Sequence, residues 1–369
     1  MLPNKPHDSM TLINIRIATD NDQHSWDNYV LSNPDAGPYH LYGWKTAVEQ
    51  AYGHKGYYIV AESTADGSYV GVLPLICFKM PWGKKSFISL PYCDYAGLLG
   101  ASSVRKSLLN KCLDLARDMG VSTIELRCPN DEAELFEGSG LDIHNSFNKV
   151  RMLLPLPGSS EALWNGFKSK LRSQIRRPQK EEMSASVGGV DLFDDFYRVF
   201  TVNMRDLGSP VHAAAWFKVL LSAYNSHAKM GVVYLKTGEP VAAGIILTLG
   251  QKACIPWASS LWEYNRLAPN MLLYWTFLEW AADNAFAEFD LGRSTPDEGT
   301  YRFKEQWGTW ANPLSWYQFG GSKGGGRESA GGNHQKNSRI REQAENIWRK
   351  MPLPLANFMG GRIRGYISL

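Results

Sequence analysis

The order of strands and helices predicted from the hydrophobic pattern returns in the second half of the chain, and this repeat constrains the fold more than any other feature. Apolar residues in alternation predict strands, and apolar residues at helical spacing predict helices. The first half is predicted to contain a strand at 13–17, a helix from 41 that ends at Gly53, a hairpin at 57–61 and 69–78, a helix at 103–119 and a strand at 122–127. The second half is predicted to contain a hairpin at 231–236 and 241–249, a helix at 270–286 and a strand at 288–291.

The spacing of corresponding elements predicts two modules of similar architecture. Val70 and Val241 are 171 positions apart, and Ile124 and Phe289 are 165 apart, although the two halves share little identity. This pattern predicts an α/β (α+β) protein of two tandem modules with a ligand cleft between them. We expect a first module at 1–158, a second module at 159–319, a flexible glycine-rich linker at 320–337 and a C-terminal helix and tail at 338–369.

Composition excludes several classes of protein. A net charge of +3 gives no global attraction to nucleic acid, so any such contact has to come from a local patch. The five cysteines are never closer than sixteen positions, and the eight histidines show no paired spacing, so neither a disulfide framework nor a metal site is expected. The first ten residues are polar, and the longest apolar stretch, 241–249, is too short to cross a bilayer. We therefore predict a cytoplasmic protein.

The densest cluster of reactive side chains lies at 289–308 and begins in the last residues of the predicted strand at 285–291. Gly292, Pro296 and Gly299 predict a loop that leaves the strand end, a position where α/β sheets bind ligands. The segment 301–304 is predicted to form a second short strand that places Arg302 and Lys304 on one face. Two such cations suit a carboxylate, a phosphate or a carbonyl oxygen that gains charge in a transition state. A solvated edge strand is the alternative.

Other residues of this cluster are candidates for catalysis or substrate binding. Asp290 and Glu298 are candidate proton acceptors, although each could instead pair with Arg293 or Arg302. Arg293, Ser294 and Thr300 are assigned to substrate binding. Neither hydroxyl has a neighbouring His–Asp pair, so nucleophilic catalysis is not expected.

A basic amphipathic helix is predicted at 161–182. Its apolar line runs beside a ridge of cations at four-residue spacing, formed by Lys168, Arg172, Arg176 and Lys180. Pro178 is expected to end or kink the helix. Arg172 and Arg176 are assigned to the phosphates of a nucleotide-linked or RNA-linked substrate, and a plain solvated face is the alternative.

The C-terminal tail is basic and apolar. A helix is predicted at 338–350, and residues 352–369 combine arginines with Phe358, Ile363, Tyr366 and Ile367. One alternative is peripheral contact with an anionic membrane at its inner face, and the other is docking back onto the protein or onto a partner.

Four stretches in this order resemble the Fem family of peptidyltransferases and the related Fem-like proteins of exopolysaccharide and exosortase gene neighbourhoods. They are YHLYGW at 39–44, KSKLRSQIRRP at 168–178, NMRDLGSPVH at 203–212 and the run at 289–308. The similarity covers about residues 10–320. It implies two modules of the GNAT type, each a mixed, mostly antiparallel sheet flanked by helices. It also implies transfer of an aminoacyl group from aminoacyl-tRNA to an amine of a cell-wall precursor.

The resemblance also implies roles for particular residues. Lys304 matches the family's lysine that contacts the acyl carbonyl. His212 stands where an arginine that helps to hold the acceptor's phosphates is usual, and a histidine is mostly neutral at pH 7. The acidic residue that some members carry after the last strand of the first module is missing from 127–130. Trp44 in the first stretch is assigned to substrate binding.

Two more segments bear on the donor and the cleft. The loop 266–271, before the predicted helix opened by Asn270, has no glycine, and Pro269 removes one N–H donor, which disfavours a coenzyme A pyrophosphate at this helix start. Tyr264 and Asn270 are assigned to substrate binding. Asp94, in a loop after a strand, is expected to reach the cleft, with a turn-stabilising role as the alternative.

The leading hypothesis is a Fem-like N-acyltransferase that moves an aminoacyl or other acyl group to an amine of a cell-envelope or exopolysaccharide precursor. Acyl-CoA-dependent N-acetyl transfer is the second hypothesis, and a non-catalytic assembly factor for surface-polymer export is the third. We expect no tightly bound cofactor, with aminoacyl-tRNA or acyl-CoA as co-substrate. The expected partners are tRNA and a small-molecule, lipid-linked or nucleotide-linked acceptor, and the sequence leaves the oligomeric state open.

Overall fold

The computed structural model describes residues 12–146, 149–320 and 334–369, and these residues form a mixed α/β protein with three sheets flanked by helices. The predicted fold class is confirmed. The strands are β1 Ile13–Ile17, β2 Lys55–Gly56, β3 Ile59–Ser63, β4 Tyr69–Leu73, β5 Ile76–Lys79, β6 Lys85–Ile88, β7 Leu99–Gly100, β8 Thr123–Cys128, β9 His144–Ser146, β10 Val150–Pro155, β11 Ser184–Gly188, β12 Ala228–Tyr234, β13 Pro240–Leu249, β14 Lys252–Ser260, β15 Glu288–Ser294, β16 Trp310–Pro313 and β17 Ser315–Phe319. The helices are α1 Gln23–Ser32, α2 Gly43–Tyr52, α3 Ser102–Asp118, α4 Ser160–Gly166, α5 Ser169–Lys180, α6 Phe193–Asp206, α7 Ala214–Tyr224, α8 Pro269–Asp283, α9 Gly299–Glu305, α10 His334–Arg349 and α11 Leu353–Ile363.

The sheets divide between two modules. The first module contains a four-stranded sheet of order β1-β3-β4-β7 and a six-stranded sheet of order β2-β5-β6-β8-β17-β9. The second contains a seven-stranded sheet of order β11-β12-β13-β14-β15-β10-β16. Two strands belong to the module on the other side of the boundary expected at 158–159. β10 pairs with β15 in the second module, and β17 pairs with β8 in the first.

One parallel pair of strands occurs in each module, within sheets whose other described pairs are antiparallel. The pairs are β6–β8 in the first module and β14–β15 in the second. Each pair runs together for only three residues, and β14 continues well beyond its last partner in β15. The repeat predicted from the hydrophobic pattern therefore appears in the structure as two similar strand arrangements.

Local sequence determines most of the elements as expected. The predicted strand at 13–17 is β1, and α2 ends at Gly53, whose φ of 71° lies in the left-handed region that glycine adopts at low cost. The hairpin of β12 and β13 and the helix α8 also lie where the pattern placed them. The predicted strand at 69–78 instead divides at Pro74, and its two parts, β4 and β5, belong to different sheets.

The predicted basic helix at 161–182 is two helices, α4 and α5. The break falls at Phe167, which is extended and buried against Trp275 and Trp307. Pro178 does not end α5 before Lys180, because the helix includes both residues and packs the proline ring inward.

The two modules share one core rich in aromatic residues. Buried side chains from the first module, including Trp26 and Trp44, belong to the same cluster as Phe196 and Trp216 of the second. Trp44 of α2 meets Trp216 of α7 edge to face, with ring centroids 5.3 Å apart. An interface of this kind behaves as the interior of a single protein, so the modules are held in a fixed relation to each other.

The C-terminal tail docks back onto the protein. In α11, Gly360 lies so close to the backbone of Val211 that a side chain there would clash. Beyond the helix, the Ser368 carbonyl accepts from the Tyr92 N–H at 2.6 Å. The predicted linker at 320–337 falls largely outside the described residues, and its last four residues begin α10.

Candidate functional site

The candidate site lies where β14 and β15 part. Their pairing stops at Cys254 and Asp290, and the next residues of β15 turn through Gly292 at a φ of 81°. A side chain at Gly292 would be strained by this backbone and would lie 3.3 Å from the Ile255 carbonyl oxygen. The same position is 3.6 Å from Lys304 Nζ and 4.0 Å from Asp94 Oδ2. Glycine therefore leaves room for an ammonium and a carboxylate from different elements to approach one strand end.

Lys304 reaches this strand end from α9. Its side chain is 8% exposed, and its Nζ donates to the carbonyl oxygen of Arg293 at 2.8 Å. Burial lowers the pKa of Lys304 to about 8, Asp94 and Asp290 oppose that shift, and Arg293 adds to it. The ammonium is mostly charged at neutral pH. One of its three N–H donors is used by Arg293, which leaves donors for a substrate oxygen.

The prediction of a strand at 301–304 is wrong, because these residues belong to the helix α9. In a helix, positions two apart face different directions, so Arg302 and Lys304 do not share a face. Lys304 is buried, while Arg302 is exposed and has no ion-pair partner among the described residues. The catalytic role predicted for Arg302 is not supported by its position.

Asp94 comes from the loop after β6 and joins the first module to the site. Its Oδ2 accepts from the backbone N–H of Arg293 at 3.2 Å, and its Oδ1 lies 3.6 Å from Arg293 Nε. The Trp316 indole N–H donates to the Asp94 carbonyl oxygen at 3.0 Å. With 19% of its side chain exposed, Asp94 is the partly accessible carboxylate beside Lys304. Asp94 therefore lies beside Lys304 and Arg293, and its role in binding substrate stays a prediction.

Asp290 has a structural partner that sequence reasoning missed. Its Oδ2 accepts from Arg151 Nε at 2.8 Å, and its Oδ1 accepts from the Gly292 N–H at 2.8 Å. Both side chains are buried, and the Arg151 guanidinium lies 4.0 Å from the Tyr95 ring centroid. The alternatives predicted for Asp290, proton acceptor or partner of Arg293 or Arg302, are therefore corrected, because this carboxylate is committed to Arg151 and to the turn at Gly292.

Three arginines lie near Trp316, whose indole N–H donates to Asp94. Arg127 and Arg293 lie 4.5 and 5.5 Å from the Trp316 ring centroid. Arg364 follows α11, and its Nη1 donates to the Ile367 carbonyl oxygen. Its pKa is lowered chiefly by burial, with Tyr52 and Tyr92 opposing and the charges of Arg127 and Arg293 adding to the lowering. Sequence reasoning did not find this cluster, because its members come from β8, β15 and the tail.

Two residues predicted to bind substrate lie in the core instead. Trp44 is fully buried, and its indole N–H donates to the Pro91 carbonyl oxygen at 3.0 Å. His212 is buried between Tyr92 and Trp216, and its Nδ1 lies 2.6 Å from the Tyr52 hydroxyl. Burial, and then the charge of Arg364, hold the pKa of His212 well below its usual range, so it is a neutral packing residue. Neither side chain is accessible to a ligand.

The remaining residues of the 289–308 run differ in exposure. Glu298 precedes α9 and is exposed, and Thr300 is exposed in its first turn. Ser294 is buried, and its Oγ has no hydrogen-bond partner among the described residues. Of these three residues, Ser294 is the buried one, and it is the last residue of β15, the strand that carries Arg293.

Four further predicted residues lie on α5 and around the start of α8. Tyr264 donates to Glu239 at 3.4 Å, and its pKa is raised to about 12, first by its hydrogen bond to Glu263. Asn270 is half-buried in the first turn of α8. Arg172 donates to the Trp164 carbonyl oxygen, and Arg176 lies over the Trp164 ring. A substrate-binding role for these residues stays a prediction.

The start of α8 offers few free N–H donors. Pro269 has none, and the Met271 N–H donates to the Ala268 carbonyl oxygen at 3.0 Å. Ala268 adopts a φ of 58°, the conformation that glycine would take at lower cost. Both observations extend the sequence argument against a tightly held pyrophosphate here.

A concavity of about 600 Å³ in the first module lies apart from Lys304. It is lined by Gly100, Ser102 and Arg105 near the start of α3, and by the acidic segment that includes Asp131 and Glu132. Arg105 is already paired with Glu132. Residues 12–146, 149–320 and 334–369 contain no group of three His, Cys, Asp or Glu side chains placed to hold a metal ion.

Comparison with known proteins gives the same architecture. Residues 166–305 match the family described as acetyltransferase (GNAT) domain. The crystal structure of FemX superposes with a TM-score of 0.64 at 16% identity, covering 82% of this chain and 96% of that one. The chain has the Fem-like tandem GNAT fold.

Two other structures share this Fem-like fold. The C-terminal domain of a putative lysylphosphatidylglycerol synthetase from Agrobacterium fabrum has a TM-score of 0.56 at 12% identity, covering 88% of this chain and 96% of that one. A tandem GNAT protein from the clavulanic acid biosynthesis pathway has a TM-score of 0.52 at 13% identity, covering 85% and 100%. No curated protein sequence matches significantly. The matched domain and the fold support acyl transfer as the class of reaction.

Proposed function

We propose that this Fem-like chain is an N-acyltransferase that moves an aminoacyl group to an amine of a cell-envelope or exopolysaccharide precursor. The observation that carries the proposal is the buried Lys304 ammonium beside Asp94, at the point where β14 and β15 part. A cation in a shielded site stabilises a developing oxyanion far better than one in water. The resemblance to the Fem family supplies the class of acceptor, and Lys304 matches a particular lysine of that family.

The proposed reaction forms one bond and breaks one. The acceptor amine attacks the acyl carbonyl carbon, and the carbonyl oxygen gains charge beside the Lys304 ammonium. Asp94 accepts the proton that the amine nitrogen loses, because it is a partly exposed carboxylate beside Lys304. The bond from the acyl carbon to the donor's oxygen or sulfur then breaks, and the leaving group takes a proton. The product is an amide.

Different observations favour two classes of acyl donor. The match to the GNAT domain at 166–305 favours acyl-CoA as co-substrate. The start of α8 favours aminoacyl-tRNA, because proline, the bonded Met271 N–H and the absence of glycine leave a poor cradle for a pyrophosphate. A structural neighbour named as a putative lysylphosphatidylglycerol synthetase also directs attention to aminoacyl groups. We place aminoacyl-tRNA first and acyl-CoA second.

The arginines near the site support an anionic acceptor. The Arg364 guanidinium is partly buried and has no carboxylate partner among the described residues. Among the described residues, the ion pair of Arg293 is the long contact with Asp94 at 3.6 Å. Shielded cations without counter-charges are costly, and a phosphate or carboxylate of the acceptor would offset that cost.

An acyl-transfer assay read by mass spectrometry tests the proposal. Purified protein is incubated with cell-envelope precursors, and with aminoacyl-tRNA or acyl-CoA as donor. We expect an amide product with aminoacyl-tRNA. We also expect Arg364→Gln to raise the acceptor KM about tenfold or more with a smaller effect on kcat, because a charge-assisted bond to the acceptor is lost. A product with acyl-CoA alone would reverse the order of donors, and no product with either donor would contradict the function.

A further inference from the structure

The turn between β5 and β6 forms an exposed basic and aromatic tip. Its sequence, KMPWGKK at 79–85, contains no acidic residue. Trp82 is 73% exposed, and Lys79 and Lys84 are exposed beside it. Gly83, at a φ of 91°, lets the chain turn tightly and leaves the indole outside the fold.

The outer face of α11 has the same chemistry. Its inner face, at Ala356 and Gly360, is buried against the second module. Phe358 and Arg362 lie on the opposite side of the helix, Tyr366 follows just beyond its end, and all three are exposed, Phe358 to 60%. The Arg362 guanidinium lies 3.7 Å from the Phe358 ring centroid. Docking of the tail therefore leaves an apolar and basic stripe uncovered.

His54 joins the turn to the tail. Its Nε2 donates to the Gly365 carbonyl oxygen at 2.8 Å, and its Nδ1 accepts from the Lys79 N–H at 3.3 Å. Its ring also stacks on Phe78 and meets the Tyr366 ring edge to face. The β5–β6 turn and the end of α11 are thus neighbours. We call their exposed residues, Lys79, Trp82, Lys84, Phe358, Arg362 and Tyr366, the tail–hairpin surface.

Charge distinguishes the occupants that could cover this surface. Residues 346–369 contain no aspartate or glutamate, as is also true of 79–85, and the tail–hairpin surface carries three cations. The charge therefore favours an anionic partner over a second copy of the same basic face. Tryptophan and tyrosine beside lysine and arginine are the side chains that prefer the boundary between lipid headgroups and acyl chains. None of the helices in the described ranges is long and apolar enough to cross a bilayer.

We propose that the tail–hairpin surface binds the anionic face of a lipid bilayer. Trp82, Phe358 and Tyr366 insert at the headgroup level, while Lys79, Lys84 and Arg362 meet the lipid phosphates. The contact is peripheral and reversible. It holds the protein through the face formed by the tail and the first module, and it needs no part of the acyl-transfer site.

Vesicle co-sedimentation of the full chain tests the proposal. The probes are vesicles of phosphatidylcholine alone and of phosphatidylcholine mixed with phosphatidylglycerol, at low and high salt. We expect binding to the mixed vesicles that weakens with salt. The variants Trp82→Ser/Phe358→Ser and Lys84→Gln/Arg362→Gln are each expected to weaken it about tenfold or more, since one basic residue near an anionic surface contributes about fivefold.

Trp262→Ser is the matched control. Trp262 is 79% exposed, but it lies in the second module beside Glu263, so its loss is expected to leave vesicle binding unchanged. Circular dichroism confirms that each variant is folded. Equal binding to both vesicle types, or binding that the two double variants do not reduce, would overturn the proposal. Sedimentation velocity completes the test, because a dimer disrupted by the same variants would assign the surface to a second copy instead.

Discussion

Replacing Lys304 by methionine is expected to lower kcat for acyl transfer by about 10²–10³-fold, the usual loss when one oxyanion donor is removed. Methionine keeps the length of the side chain and its packing in α9 while removing the ammonium that lies beside Gly292. The acceptor KM should change little, because the lost interaction forms in the transition state. Steady-state kinetics with the donor identified by mass spectrometry measures the effect.

Arg302→Ala is the matched control for this experiment. Arg302 belongs to the same helix and carries the same charge, but it is exposed and unpaired among the described residues. We expect its kcat to stay within about twofold of the unmodified protein, as for a surface substitution. Equal losses in the two variants would contradict the role given to Lys304 and would point to the general charge of α9.

The second large effect concerns stability. Arg151→Met is expected to lower the free energy of unfolding by about 3–5 kcal/mol, because it leaves the buried Asp290 carboxylate without its cation. The double variant Arg151→Met/Asp290→Asn should recover part of this loss, since the amide oxygen can still accept from the Gly292 N–H. Chemical denaturation of the three proteins measures the differences.

The exposed pair of Arg117 and Asp114 provides the control. Both side chains are largely in solvent, so Arg117→Met is expected to change the free energy of unfolding by no more than about 0.5 kcal/mol. If Asp290→Asn abolished activity without lowering stability, Asp290 would be catalytic and its pairing with Arg151 incidental. That outcome would restore the role predicted for Asp290 from the sequence.

Local patterns in the sequence predicted most of the helices and strands. Alternation predicted the hairpin of β12 and β13, and helical spacing ended by Gly53 predicted α2. The prediction of a strand at 301–304 failed because two aromatic residues alternate with two cations there. A short strand and a short helix both allow such a pattern over four residues. In the structure this segment is helical, and Phe303 packs on Tyr274 and on Trp307, which follows it by four residues.

The site itself could be predicted only in part. Lys304 was found because its neighbours in sequence mark a loop at a strand end. The partners of the site come from far along the chain: Asp94 is 199 positions from Arg293, and Arg151 is 139 positions from Asp290. No periodicity records such distant pairing. Burial likewise decides the roles of Trp44 and His212, and it depends on how the two modules pack.

The titration of Lys304 followed by NMR, with the side-chain Cε of lysine labelled, tests the central claim most directly. Lys304→Arg assigns the signal by its loss. Burial should make this ammonium lose its proton with a pKa of about 8, well below the 10.5 of an exposed lysine, so acyl transfer should decline as the pH rises through that value. A Lys304 signal that titrates with the exposed lysines would contradict a shielded ammonium at the end of β15.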